Sequence, residues 1–185
     1  MKALSPGLFS SARATWREAA VLLLASWLVP VLIHLLPALG HRENGVYLIP
    51  AFWAAFMAVY FYGSALGVVV ALVTPLINLM LTGLPAAGWV GPMSLELVAY
   101  TLTCAWLLRR WGTLWLIAPF AYIPAKAFAL GVIWAVPAFH ARRDVLNHLL
   151  DSTCNALPGL GVLLVINLAL VLLAPREQGR DWDAH

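Results

Sequence analysis

The sequence predicts an all-α membrane protein, built as a single integral membrane domain of six transmembrane helices over residues 1–185. Of its 185 residues, 63% are hydrophobic and only 10% are charged, and the mean hydropathy is +0.87. A soluble domain carries about 45–50% apolar and about 25% charged residues, and at this size it buries only about 70% of its surface. Composition therefore excludes a soluble enzyme, a nucleic-acid-binding domain and a disordered chain.

Six apolar stretches approach the length of about 20 residues that a helix needs to cross a bilayer. They cover residues 19–38, 46–62, 64–81, 92–108, 113–136 and 155–174. The first follows a basic segment and resembles a secretory signal with a cleavage site at 38–40. Its length and its prolines, Pro30 and Pro37, argue against cleavage.

The distribution of basic residues predicts that both termini lie in the cytoplasm. With that topology the inner segments carry seven basic residues: Lys2, Arg13, Arg17, Arg109, Arg110, Arg176 and Arg180. The outer loops carry three: Arg42, Arg142 and Arg143. Lys and Arg collect on the cytoplasmic side of membrane proteins, so the net charge of +3 reflects topology rather than affinity for nucleic acid.

The predicted outer loops are longer than the inner connections, as a protein loaded from outside requires. Residues 137–152 form the most polar internal stretch, and Val145, Leu149 and Leu150 within it predict a short helix on the membrane surface. Residues 82–91 form a second outer loop, rich in Gly, Pro and Ala. The inner connections are tight, at Gly63 and at residues 109–112.

Two charged residues fall within the predicted spans, where an ionisable side chain costs several kcal/mol and usually faces a bundle interior or a cavity. Lys126 lies near the middle of the fifth span, too deep for its stem to reach the interface. Glu96 lies about one turn into the fourth span from the outer side. The two charges are therefore expected to share the outer half of one cavity. They either pair structurally or meet the polar groups of a ligand.

Three asparagines are further polar residues of the predicted spans. Asn78 lies in the outer third of the third span and is either an interhelical hydrogen-bonding residue or a ligand contact. Asn155, at the start of the last span, is an N-cap or a ligand contact. Asn167 lies deeper and is interpreted as structural.

Aromatic residues on the faces of the two charges are candidate cavity walls. Tyr100 follows Glu96 by one turn, Tyr122 precedes Lys126 by one turn, and residues four apart share a helix face. Trp134 follows Lys126 by two turns. Either these side chains line the cavity and stack on a flat ligand, or they pack within the bundle. Trp89 is assigned to the outer aromatic belt.

Small residues spaced by four mark faces on which helices approach closely. They occur at Gly63, Gly67 and Ala71 in the third span, and at two alanine pairs in the second. Such faces either pack within the bundle or bind a partner subunit.

The sequence favours binding over catalysis. No HExxH, GxSxG or P-loop motif occurs, so any ATP-driven work requires another chain. His140 and His148 stand near Asp144 and Asp151 at helical spacing, an arrangement that fits a solvated face better than a metal site. Cys104 and Cys154 have no metal-ligand spacing, and both are interpreted as small buried apolar residues. No cofactor or metal is predicted.

Three stretches together resemble the substrate-binding S component of energy-coupling factor (ECF) transporters, bacterial importers of vitamins and other micronutrients. They are residues 60–78 (YFYGSALGVVVALVTPLIN), residues 82–85 (TGLP) leading to residues 94–100 (SLELVAY), and residues 155–160 (NALPGL). With the six spans, the likeness covers most of the chain, although its motifs are loose.

The resemblance implies an outward-facing pocket capped by the loops after the first, third and fifth helices, in a bacterial cytoplasmic membrane. It also implies a transmembrane coupling subunit and two cytosolic ATPases as partners. Two features depart from the family. The first span lacks the AxxxA pattern often used for docking, which leaves the second as a substitute. The histidine-bearing N-terminus of nickel and cobalt S components is absent, which argues against a metal-ion substrate.

The preferred hypothesis is a subunit that captures a small, vitamin-like or heterocyclic nutrient for import. Its pocket candidates are Asn78, Glu96, Tyr100, Lys126, Trp134 and Asn155, and none is catalytic. The alternatives are a scaffolding subunit of a cell-envelope complex, in which Lys126 and Glu96 merely pair, and an intramembrane enzyme that uses His140.

Overall fold

The structure, a computed structural model, describes residues 16–35, 44–112, 114–136 and 145–173. Within these ranges the chain is helical apart from short connections. Its helices are α1 (Trp16–Leu35), α2 (Asn44–Leu48), α3 (Pro50–Tyr62), α4 (Ser64–Thr82), α5 (Ala87–Trp111), α6 (Ile117–Ala135), α7 (Val145–Asn155) and α8 (Leu157–Leu173). The predicted all-α class is confirmed for this part of the chain.

Three of the described helices, α4, α5 and α6, are long and apolar enough to cross a membrane, and α3 and α8 are shorter apolar helices. The membrane character predicted from composition is thereby supported, while the count of six spans stays a prediction. The predicted span 64–81 coincides closely with α4. The predicted loop 82–91 is shorter than expected, because α5 already begins at Ala87.

The predicted second span, 46–62, is broken at Ile49. Ile49 adopts a left-handed conformation with φ 44° and ψ 50°, which is unusual for a β-branched residue. Pro50 follows it and lacks the N–H that a continuous helix would use, so it suits the first position of a new helix. The break separates the five-residue α2 from α3.

The helices pack side by side around α5, which makes its most extensive contacts with α4 and α6 and also contacts α3. Small residues permit this packing. A Cβ atom added to Gly67 of α4 would lie 2.5 Å from Val59 Cγ2 of α3 and 2.7 Å from Thr101 Cγ2 of α5. Of the two interpretations of the small-residue faces, packing within the bundle therefore holds at Gly67 and at the fully buried Ala71 and Ala55.

Asn167 of α8 joins that helix to the start of α6. Its side chain is buried, its Oδ1 accepts a hydrogen bond from the Ala118 N–H at 3.1 Å, and its Nδ2 donates to the Leu114 carbonyl at 3.1 Å. The first helical N–H groups have no partner within a helix, so Asn167 satisfies one from a neighbouring element. The structural role predicted for Asn167 is confirmed.

Two further predictions are resolved by the fold. Cys104 is buried, as expected, but Cys154 is exposed on α7, so the interpretation of both as buried residues is wrong for Cys154. The short helix predicted within residues 137–152 is α7, and it extends further, to Asn155. The start of that loop with His140, the N-terminal segment and the C-terminal tail lie outside the described residues, as does the side chain of His148.

Candidate functional site

A cavity of about 440 Å³ opens at one end of the bundle. Its walls come from the start of α3, the end of α4, the first half of α5 and the second half of α6. Because successive helices run in opposite directions, these four segments meet at the same end, here called the cavity end. Leu84, Pro85 and Trp89 line it from the α4–α5 connection and the start of α5, Gly45 from α2, and Ser152 from α7.

Lys126 and Glu96 both line this cavity and form an ion pair within it. Lys126 Nζ lies 2.9 Å from Glu96 Oε1 and 3.1 Å from Oε2, and the two side chains are only 14% and 13% exposed. Lys126 is nine residues from each end of α6, about 13 Å along the axis, so its predicted central depth is confirmed. The predicted meeting of the two charges in one cavity is also found.

Glu96 lies deeper than its sequence position suggested. Because α5 begins at Ala87, Glu96 is nine residues into the helix rather than one turn. The prediction placed the helix start at Pro92, yet Pro92 is the sixth residue of α5 and lies inside the helix, where it has no N–H to donate to the Gly88 carbonyl. The ion pair therefore sits well inside the bundle, where each charge depends on the other for stabilisation.

Asn78, near the end of α4, also lines the cavity, as its candidate role required. The residue is 6% exposed, and its Oδ1 makes no hydrogen bond within the described part of the chain. Its backbone carbonyl accepts a hydrogen bond from Thr82 Oγ1 at 2.8 Å. The alternative of an interhelical hydrogen bond through Oδ1 is therefore not observed.

Aromatic side chains form a continuous wall beside the pair. Phe52 and Tyr122 line the cavity, and their rings meet edge to face with centroids 5.2 Å apart. Lys126 Nζ lies 5.7 Å from the centroid of the Tyr122 ring, within the range of a cation–π contact. The candidate role of Tyr122 as a wall residue is thus met.

The other three sequence candidates are not among the described residues that line the cavity. Tyr100 is fully buried behind the wall, and its ring packs edge to face on Phe52 at 5.0 Å. Trp134 is 69% exposed on the outside of α6. Asn155 ends α7 rather than starting α8, and its Nδ2 donates to Asp151 Oδ1 at 3.1 Å. Helical spacing correctly put Tyr100 on the face of Glu96, but the packing of α3 covers it.

Sequence reasoning missed Phe52, Trp89 and Ser152 as lining residues. Trp89, assigned from the sequence to the outer aromatic belt, lines the cavity. Phe52 lies one turn after the break at Ile49, and that break is the signal that a non-helical segment borders a cavity. Ser152 carries no sequence signal, because the position of α7 depends on tertiary packing.

The cavity has the size and the kind of lining that small-molecule sites have. Its volume falls within the range of about 300–1,000 Å³ typical of small-molecule sites, and it combines apolar walls with a few placed polar groups. The polar groups of the described lining include the ion pair, the carboxamide of Asn78 and the hydroxyl of Ser152. No protein-family model, curated protein or solved structure matches the chain.

Proposed function

We propose that this protein captures a small nutrient within the membrane, as the substrate-binding S component of an ECF-type importer in a bacterial cytoplasmic membrane. The observation that carries the proposal is the cavity at one end of an apolar helical bundle, whose lining combines aromatic walls with polar side chains that include Asn78, Glu96 and Lys126. The six-span topology with both termini inside, predicted from the sequence, would direct this opening outward.

The position of the cavity agrees with ligand entry from outside, which the resemblance to S components implies. Residues that border the three predicted outer loops line it: Gly45, Pro85 and Ser152. A ligand entering from outside would meet these segments first and would then reach the ion pair. Release on the inner side would require reorientation of the bundle, driven by ATPases on other chains.

Docking to a coupling subunit would use a face that the bundle leaves free. The small-residue face of α3, the substitute named from the sequence, is largely occupied, because Ala51, Ala55 and Ala58 are buried. In contrast, α1 exposes Val21, Leu24 and Leu28 along one side. Because α4, α6 and α8 also expose apolar side chains, the exposed face of α1 is one candidate for docking to the coupling subunit.

The experiment is small-molecule mass spectrometry of what co-purifies with the full chain in lipid nanodiscs. Ala129 is buried and lines the cavity, whereas Ala127, two residues before it, is exposed on the same helix. We expect one molecule to co-purify with the wild type and with Ala127→Trp, and to be absent from Ala129→Trp. Equal amounts in both variants would show that the ligand binds elsewhere.

A second measurement tests the polar groups. Once the molecule is identified, Lys126→Ala and Glu96→Ala should each weaken its binding at least tenfold. Unchanged affinity in both variants would exclude this cavity as the site.

The scaffolding alternative rests on one observation, the close contact of Lys126 with both oxygens of Glu96. Such a pair satisfies itself and needs no ligand. If this function is the true one, no small molecule co-purifies, and the chain is instead recovered in a stable complex with other envelope proteins.

A further inference from the structure

The carboxamide of Asn78 is one of two polar groups of the cavity lining that have a buried atom without a hydrogen-bond partner among the described residues, and the other is the hydroxyl of Ser152. Asn78 is more than nine-tenths buried, its side chain lines the cavity, and its Oδ1 has no partner in the described ranges. A buried polar atom without a partner lowers the stability of the empty protein. Such a group in a binding cavity is a candidate contact for a ligand.

Two other asparagines have hydrogen-bond partners for their side chains and serve as a comparison. Asn167 is buried to a similar degree and uses both ends of its amide, bonding to Ala118 and Leu114. Asn155 is more exposed and still donates to Asp151. The missing partner of Asn78 Oδ1 is therefore not shared by these two asparagines, although buried atoms without partners also occur at Thr74 and Tyr100, outside the cavity lining.

The ion pair restricts the charge of the ligand. Lys126 Nζ contacts both carboxylate oxygens of Glu96, and the pair as a whole is neutral. In a poorly solvated cavity an ion with a net charge would either break this pair or remain without a counter-ion, and both outcomes are costly. A neutral molecule leaves the pair intact.

The walls restrict the shape of the ligand. Phe52, Trp89 and Tyr122 contribute aromatic surface to the cavity. Aromatic side chains pack best on other flat rings, either stacked or edge to face. A planar heterocycle would satisfy this requirement.

We propose that the cavity recognises an uncharged, planar heterocycle through a lactam edge, an N–H group beside a carbonyl, that pairs with the carboxamide of Asn78. A carboxamide offers an acceptor oxygen next to a donor nitrogen, so the two edges form two parallel hydrogen bonds. The inference rests on the proposed function and narrows its ligand to a chemical class.

Ligand-observed saturation-transfer NMR on the full chain in nanodiscs tests this inference with a matched set of probes. The mixture contains uracil and hypoxanthine, which are neutral and carry a lactam N–H, together with 1,3-dimethyluracil and 1-methylhypoxanthine, whose lactam nitrogens are blocked, and the carboxylate orotate. We expect saturation of uracil or hypoxanthine, with signals at least tenfold lower for the methylated rings and for orotate.

The variant Asn78→Leu should abolish the lactam signal, and the matched control Asn155→Leu should leave it unchanged. Asn78→Leu should also unfold at the same or a higher temperature than the wild type, because it removes an unpaired buried oxygen. A lower unfolding temperature with unchanged lactam binding would instead identify Asn78 as a structural residue. The methylated probes test the inference on the wild type, independently of how the variant folds.

The inference is overturned if orotate or a methylated ring binds as strongly as its lactam counterpart, or if no lactam binds at all. Its failure is distinguishable from failure of the proposed function. A charged or lactam-free molecule that co-purifies with the wild type would leave the proposed function standing and refute the lactam. Absence of both a co-purified molecule and a probe signal would refute both.

Discussion

A buried asparagine lies near each end of the bundle, and the two differ in the hydrogen bonds that their side chains make. At the end where α6 begins, here called the closed end, Asn167 uses its whole side-chain amide to join α8 to α6. At the cavity end, Asn78 is almost as deeply buried and its Oδ1 has no partner among the described residues. The same side chain therefore joins two helices at one end, while at the other end its oxygen is left without a partner.

The two ends therefore differ in how much a buried asparagine contributes to the stability of the folded protein. Binding sites often retain groups that reduce stability, because the same groups are needed for function. Packing is close between the two ends, as Gly67 shows, and a cavity opens around the ion pair. Variants at the two ends should therefore separate stability from binding.

The largest effect is expected from breaking the ion pair at the cavity end. Lys126→Met leaves Glu96 charged and unpaired in the bundle, and removing one partner of a buried pair costs about 3–5 kcal/mol. The double variant Lys126→Met/Glu96→Gln removes both charges and should recover most of this loss. The free energy of unfolding in a mild detergent, followed by tryptophan fluorescence, measures both. A single variant no less stable than the double variant would contradict a buried pair.

The next effect is expected at the closed end. Asn167→Leu leaves the Ala118 N–H and the Leu114 carbonyl without partners, and the loss at the buried Ala118 N–H should cost about 1–3 kcal/mol. The unfolding free energy should fall, whereas the corresponding change at Asn78 should not reduce it. If both leucine variants lose the same stability, the contrast between the two ends is wrong.

A smaller loss is expected from the close packing between the ends. Gly67→Ala places a methyl group against Val59 and Thr101, and the hydroxyl of Thr101 is held by the Leu97 carbonyl at 2.7 Å. Overpacking of this kind costs about 1–3 kcal/mol.

The control for this substitution is Gly131→Ala in α6, where an added Cβ meets nothing within 4 Å. It should leave stability unchanged or raise it by up to about 1 kcal/mol through helix propensity. Equal effects of the two substitutions on the thermal unfolding temperature would mean that the α3, α4 and α5 contact is looser than described.

A single hydrogen bond gives a lesser effect. The Tyr60 hydroxyl donates to the Leu170 carbonyl at 3.2 Å and ties α3 to α8. Tyr60→Phe should cost about 1 kcal/mol, the net value of a typical hydrogen bond, and leave ligand affinity unchanged. A loss of binding with intact stability would link this residue to the cavity instead.

The smallest effect is expected at Trp134, which the sequence analysis placed in the cavity. Because its side chain is 69% exposed, Trp134→Leu should change stability by less than about 0.5 kcal/mol and leave ligand affinity as it is. Equilibrium dialysis with the co-purified molecule checks the affinity. Weakened binding would return Trp134 to the site.

The sequence predicted much of the site because charges are scarce in this chain. Glu96 and Lys126 stand out against apolar spans. Because an unpaired charge within a membrane span is energetically costly, the two side chains were expected to meet in one cavity. Asn78 was found for the same reason. The prediction failed for Tyr100 and Trp134, because helical spacing gives the face of a residue but not which neighbour covers that face.

The sequence by itself determined that the chain is helical, apolar enough for a membrane, and marked by two buried charges. These properties follow from composition and periodicity, which depend only on the order of residues. The tertiary structure decided the burial of Tyr100 behind Phe52 and the different hydrogen-bonding states of Asn78 and Asn167. Those depend on which helix faces another, and contacts between distant segments have no signature in the local sequence.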